Sequence, residues 1–266
     1  MDVFNALTHT DLEHLTNPMD VGRLYSKLRP FRVEGGLVAI GGNGDGTYLF
    51  PKRMLTEVDG CISPGVGSYS NFEVDLAVKC SIRTLMLDGN VDKPQTRVIN
   101  SIFIKKNLTA TEKSSGKGVT LDWCVEEYFN HSKSLVLQMD IEGDEYSILL
   151  SSKEKLLNRF SVVILELHDI NRWKKRDVFE KFYSQALNNL LEYFTPVHLH
   201  INPYCPTFRL MGMNLPSVIE LTLVQKTNPI LTSEYASLPN PLDFDFDQKT
   251  KTIDFERLNE LVFTTG

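Results

Sequence analysis

Short apolar runs alternate with amphipathic stretches along most of the chain, and this alternation constrains the fold more than any other feature. The runs Gly60–Pro64, Arg83–Leu87, Ser101–Lys105, Leu135–Asp140, Val162–Leu167, Pro196–Ile201 and Ile219–Gln225 have strand texture. Between them the spacing predicts helices over Tyr69–Lys79, Leu121–Asn130, Asp144–Leu150 and Asp177–Glu192. Strands alternating with helices read as a parallel sheet covered on both faces. The stretch joining the last two strands is rich in Pro and Gly and has no helical pattern, whereas a parallel crossover needs a helix. The last strand is therefore expected to run antiparallel, giving an α/β, doubly wound, Rossmann-like sheet of seven strands.

A chain of 266 residues that is 42% hydrophobic can bury a sizeable core. No linker or repeat interrupts it, so a single domain over 1–266 is expected. It has a helical extension at 1–35, a core at 36–228 and a tail at 229–266. The tail is expected to lie over the surface and to close on a short helix, Asp254–Val262. Residues 37–51 read as two short strands around a Gly-rich turn. Lys and Arg number 28 against 34 Asp and Glu, a net charge of −6 with no basic tail. That is poor footing for phosphate contacts, so no nucleic-acid partner is expected. No run is long and apolar enough for a membrane span, and the first residues are acidic and polar where a signal peptide is basic and apolar. A cytoplasmic location is the expectation. Cys61, Cys80, Cys124 and Cys205 are too scattered for a zinc site or a disulfide framework and read as reduced thiols. Met139, Met211 and Met213 read as core filler.

Two groups of residues carry chemistry. In the first, Gly65-Val66-Gly67 follows a strand and precedes a helix. Glycines there let backbone approach a ligand, and the helix N-terminus offers free N–H groups to an anion. Asp88 ends the next strand, where a carboxylate accepts hydrogen bonds from ribose hydroxyls. Together these predict a nucleoside-containing cofactor, NAD or S-adenosylmethionine (SAM), bound at the carboxyl edge of the sheet.

The second group sits at three further strand ends. Side chains alternate along a strand, so Asp140 pairs with Glu142, Glu166 with His168, and His198 and His200 with Asn202, each set on one face. Acids and imidazoles converging at one edge can hold a divalent metal or take a proton. Trp173, beyond the fifth strand, is a candidate for stacking on an acceptor, with Lys174, Lys175 and Arg176 beside it.

In order, these pieces resemble the FkbM-type family of SAM-dependent methyltransferases. The carrying motifs are Asp45-Gly46-x-Tyr48, Gly65-Val66-Gly67 with Phe72-Glu73, Asp88, Leu121-Asp122, the box Asp140-x-Glu142-Gly143-x-Glu145, Glu166-x-His168, His200-x-Asn202 and Pro216-x-Val218-Ile219-Glu220-Leu221-Thr222. The box departs from the family pattern in Gln138-Met139 and Asp144, and the cofactor loop has Pro64 and lacks a third glycine. The resemblance covers about residues 20–245 and implies the class I methyltransferase fold. It implies SAM held by Gly65, Val66, Gly67, Phe72, Glu73, Asp88, Asp122 and Asp140. It implies O-methylation of a sugar or glycan hydroxyl. His168 or His200 is then the expected base, with His168 preferred because Glu166 lies beside it. Asn202 would orient the acceptor, and Mg²⁺ would sit on Asp140, Glu142 and Glu166. An NAD-dependent oxidoreductase and a methyltransferase-like binding module without catalysis stay open at this point, as does the oligomeric state. The Asp45-Gly46 turn is read either as a lid or as a plain hairpin turn.

Overall fold

The computed structural model describes residues 14–44, 46–111, 118–202, 204–210, 213–245, 253 and 255. The first part of the helical extension, Asp45, Met211 and every residue but Phe255 of the expected closing helix over 254–262 lie outside these.

The seven expected strands form one sheet: β1 (Gly60–Pro64), β2 (Arg83–Leu87), β3 (Ser101–Ile104), β4 (Leu135–Met139), β5 (Phe160–Leu167), β6 (Phe194–Ile201) and β7 (Ile219–Gln225). Their spatial order is β3-β2-β1-β4-β5-β7-β6. β1 to β5 pair in parallel, and β7 runs antiparallel between β5 and β6. The order reverses between β1 and β4, so the crevice for a ligand opens there, above the carboxyl ends of the strands.

The period of two divides the sheet's side chains between two apolar layers. Leu135, Leu137, Met139, Val163, Leu165 and Leu167 point into one layer, with Val21, Leu24 and Tyr25 of helix α1 (Pro18–Ser26). Leu121, Cys124 and Val125 of α3 (Leu121–Tyr128) and Tyr146, Ile148 and Leu149 of α4 (Glu145–Ser151) complete that side. Val136, Val162 and Ile164 point into the other layer, with Phe72 and Leu76 of α2 (Asn71–Cys80). Each such side chain, fully buried, contributes about 1.5–3 kcal/mol. A one-residue slip of β4 or β5 would therefore exchange the layers and throw the polar strand ends to the wrong face.

The hairpin Leu37–Ile40 with Tyr48–Pro51 forms as expected and lies on the second face, where Thr222 Oγ1 donates to the Leu49 carbonyl (2.7 Å). Its Gly-rich turn leans on α2: the Gly41 N–H donates to Asp75 Oδ2 at 3.2 Å.

Two expectations change, and two stretches that the sequence left without secondary structure gain some. The helix expected over Asp177–Glu192 is broken into Arg176–Val178, one wide π-type turn over Phe179–Tyr183, and α5 (Ser184–Tyr193). Trp173 is no acceptor platform. It is fully buried among Tyr25, Phe179 and Tyr183. The stretch between β6 and β7 forms its own hairpin, Thr207–Leu210 with Met213–Pro216. The tail begins with a strand, Leu231–Tyr235, paired antiparallel to Phe31–Val33. All four cysteines are free thiols. No helix among the described residues is long and apolar enough to cross a membrane.

Candidate active site

The loop after β1 turns sharply at Gly65 (φ +84°), where an added Cβ would stand 1.6 Å from the Asp140 carbonyl oxygen. The ends of β1 and β4 thus touch backbone to backbone, which only glycine permits. Gly67 (φ +57°) has open space where a Cβ would point, and its N–H donates to Asp88 Oδ2 at 3.0 Å. Asp88 also accepts from the N–H groups of Asn90 (2.7 Å) and Val91 (3.3 Å). The carboxylate therefore ties the β1 loop to the β2 loop. With about four acceptor positions it keeps capacity for a further donor.

The remaining expected cofactor residues are dispersed. Val66 is buried. Phe72 is buried edge-on to Tyr48 at 5.5 Å. Glu73 lies beneath α2, 2.5 Å from Ser63 Oγ, which also meets Gln138 Oε1 at 2.5 Å. Burial pushes the Glu73 carboxyl up to about 6 against the pull of that hydroxyl. Phe72 and Glu73 are thus part of the helix–sheet packing and do not line the edge. Asp122 is exposed in the first turn of α3.

Past β4 the chain folds back on itself through Glu142 (φ +57°) and Gly143 (φ +106°). Glu145, completely buried at the start of α4, accepts the Ile141 and Gly143 N–H groups, each at 2.9 Å. Glu145 entered the sequence reading only as the last residue of the box, with no role assigned to it. It is the clamp of the loop, and Oε1 also meets His168 Nδ1 at 3.1 Å. Nδ1 has the Glu166 carbonyl as its other neighbour, at 3.1 Å. Both neighbours only accept, so Nδ1 carries a proton. This leaves His168 Nε2 facing Glu142 Oε2 (3.5 Å), Asp140 Oδ1 (3.8 Å) and Glu166 Oε1 (3.9 Å).

Burial alone would lower the His168 pKa. The Glu145 hydrogen bond and the charges of Glu145, Glu166 and Asp140 outweigh it and carry the imidazole up to about 9. Burial pushes Asp140 up to about 6, with Glu142 and Glu145 adding to it against His168. It pushes Glu166 up to about 8, with Asp140 and Glu220 adding to it. The surrounding carboxylates thus favour the protonated form of the His168 imidazole.

One ligand atom each from Asp140, Glu142 and His168 lies within 4.8 Å of the others, a mutual spacing that fits a shared cation. The metal set expected from sequence changes accordingly: His168 takes the place of Glu166. Glu166 is instead buried and accepts from Asn202 Nδ2 at 3.1 Å. Asn202 also accepts the Tyr204 N–H with Oδ1 (3.0 Å), and each end of its amide keeps one further hydrogen-bonding position.

His200 stands apart. It is buried two strands away, and the antiparallel register places Glu220 of β7 opposite both Glu166 and His200. Nδ1 meets Glu220 Oε2 at 3.1 Å and Nε2 meets Asp245 Oδ1 at 2.8 Å. Burial again works to lower the pKa, but Glu220, Asp243 and Asp245 raise it to about 9. Both ring nitrogens are taken. His198 lies nearly parallel to His200, with Nε2 2.9 Å from Asp243 Oδ1 but out of line for a hydrogen bond. These two histidines fasten the tail segment 243–245 to the sheet.

Residues 83–200 match the family described as the methyltransferase FkbM domain. No curated protein matches. Among solved structures the chain is similar to a putative rRNA-methylase from Clostridium thermocellum at 11% identity, over 63% of this chain and 88% of that one, with a TM-score of 0.37. It is also similar to precorrin-6y C5,15-methyltransferase from Geobacter metallireducens GS-15 at 12% identity, over 70% and 96%, with a TM-score of 0.33. The stretch matched to the methyltransferase FkbM domain carries β2 to β6 and the acidic edge.

Proposed function

We propose that this protein transfers a methyl group from SAM to a hydroxyl of a sugar or glycan, with a divalent cation held by Asp140, Glu142 and His168. The observation that carries the reading is His168 itself. Its Nδ1 is fixed by the buried Glu145, and its Nε2 is aimed at two carboxylates. A carboxylate behind a histidine is how proteins orient an imidazole towards a metal.

For the cofactor, the open space at Gly67 and the spare capacity of Asp88 suit a nucleoside whose ribose meets that carboxylate. For the cation, a donor set of two carboxylates and an imidazole suits Mn²⁺ and its first-row neighbours better than Mg²⁺, which prefers oxygen alone. A bound cation would lower the pKa of a coordinated hydroxyl. The chain's own task is alignment, since methyl transfer from a sulfonium is an in-line displacement. The Gly65–Asp140 contact sets the cofactor loop against the acidic edge. Glu145 holds His168 so that its outer nitrogen faces that edge. Glu166, kept in place by Asn202, closes the buried side of that edge.

The test uses labelled SAM and a panel of methyl glycosides. Transfer is expected to fall to background in EDTA and to return with Mn²⁺. Full activity in EDTA removes the cation from the account. Separately, Asp88→Ala is expected to weaken S-adenosylhomocysteine (SAH) binding by about tenfold or more in calorimetry, because one charge-assisted hydrogen bond is worth about 1.5–3 kcal/mol. Unchanged affinity would place the ribose elsewhere.

A further inference from the structure

We infer that Tyr204 is the acceptor platform of this site: its ring stacks against the nonpolar face of a sugar whose hydroxyl meets the Asp140–His168 edge. The inference rests on the sugar reading given above. Tyr204 is 77% exposed, the highest of any large hydrophobic side chain among the described residues. It stands just past the end of β6, on the carboxyl edge of the sheet.

Its position is not loose. The Tyr204 N–H is held by Asn202 Oδ1 at 3.0 Å, and the buried Asn202 is held by Glu166 Oε1 at 3.1 Å. Glu166 Oε1 is in turn 3.9 Å from His168 Nε2. Three contacts therefore tie the backbone at Tyr204, from which the exposed ring projects, to the acidic centre. A buried amide that spends both ends on this tie makes sense if the ring has to be placed relative to the acids. Trp173, the aromatic that the sequence offered for this task, is in the core, so Tyr204 takes its place. A flat ring meets the C–H face of a pyranose without asking for a particular hydroxyl pattern, and the phenol keeps its polar tip in water.

The experiment is steady-state transfer from SAM to methyl glycosides, with uridine and adenosine as alternative ring acceptors, for the wild type, Tyr204→Phe and Tyr204→Ala. Tyr204→Ala is expected to raise the glycoside KM by about tenfold with kcat within about threefold. Tyr204→Phe is expected to keep KM within about twofold. SAH affinity and thermal midpoint are expected to stay at wild-type values in both, which a merely structural role would not allow. An unchanged KM in Tyr204→Ala overturns this proposal alone, as does a Phe variant as impaired as the Ala variant. Transfer to a base atom of the nucleosides and to no sugar hydroxyl overturns the sugar reading beneath it as well.

Discussion

His168 and His200 end two strands of one sheet, each on a polar row, and each is raised to about 9 by surrounding carboxylates. The neighbourhoods differ in one respect. Around His168 the closest acid, Glu145, binds the inner nitrogen, and the outer one faces three carboxylate oxygens at 3.5–3.9 Å. Around His200 both nitrogens lie within hydrogen-bond distance, and the acids belong to β7 and the tail. Charge alone does not separate a chemical histidine from a structural one. An outward nitrogen with no close partner does.

The largest effect should come from Glu145→Ala. It leaves two half-buried N–H groups unpaired and releases His168 at once. Removing one partner of such a buried charged network costs about 3–5 kcal/mol. Urea denaturation and turnover should fall together; a stable, active variant would mean that the loop after β4 holds itself.

Next is the pH dependence of stability. His200 has a folded pKa of about 9 against an ordinary value near 6.5. A raised pKa stabilises fully below the unfolded value, and the gain is lost as pH rises through the folded one. Wild-type stability should therefore decline between about pH 7 and 9 through this residue. In His200→Gln that part of the decline should disappear. An identical pH profile in the variant would detach the tail clamp from this titration.

The smallest effect is expected from Glu142→Gln. The Glu142 side chain is 85% exposed, so thermal stability should shift by no more than about 0.5 kcal/mol. Mn²⁺ affinity measured by calorimetry should nevertheless drop. A variant that binds Mn²⁺ like the wild type would remove Glu142 from the cation set.

Much of this was legible in the chain because it is local. Short apolar runs marked β1, β2 and β7 to the residue, and the missing helix before β7 gave its direction. The Asp140-x-Glu142-Gly143-x-Glu145 box announced a site. Other features depend on partners far along the chain. The strand Leu231–Tyr235 exists through pairing with Phe31–Val33, about two hundred residues away, which no local pattern encodes. Glu220 gained its place only when antiparallel pairing set it between Glu166 and His200. Asp245 reaches His200 from a tail with no regular pattern. Glu145 was visible as an acid at a helix start, but its inward turn follows from the left-handed Glu142 and Gly143, a backbone path that side-chain periodicity does not report. Trp173 was misplaced because an aromatic beside three basic residues reads as surface, whereas Tyr25, Phe179 and Tyr183 enclose it.

The contrast between the two histidines is tested most directly by His168→Ala and His200→Ala, measured side by side for methyl transfer and thermal unfolding. His168→Ala should lose about 10²–10⁴-fold in turnover while keeping SAH affinity and most of its stability. His200→Ala should keep turnover within about tenfold and lose about 3 kcal/mol of stability, because Glu220 is left buried without its partner. The reverse pattern, with His168→Ala active and unstable and His200→Ala folded and inactive, would contradict the account and move the reacting centre to β6.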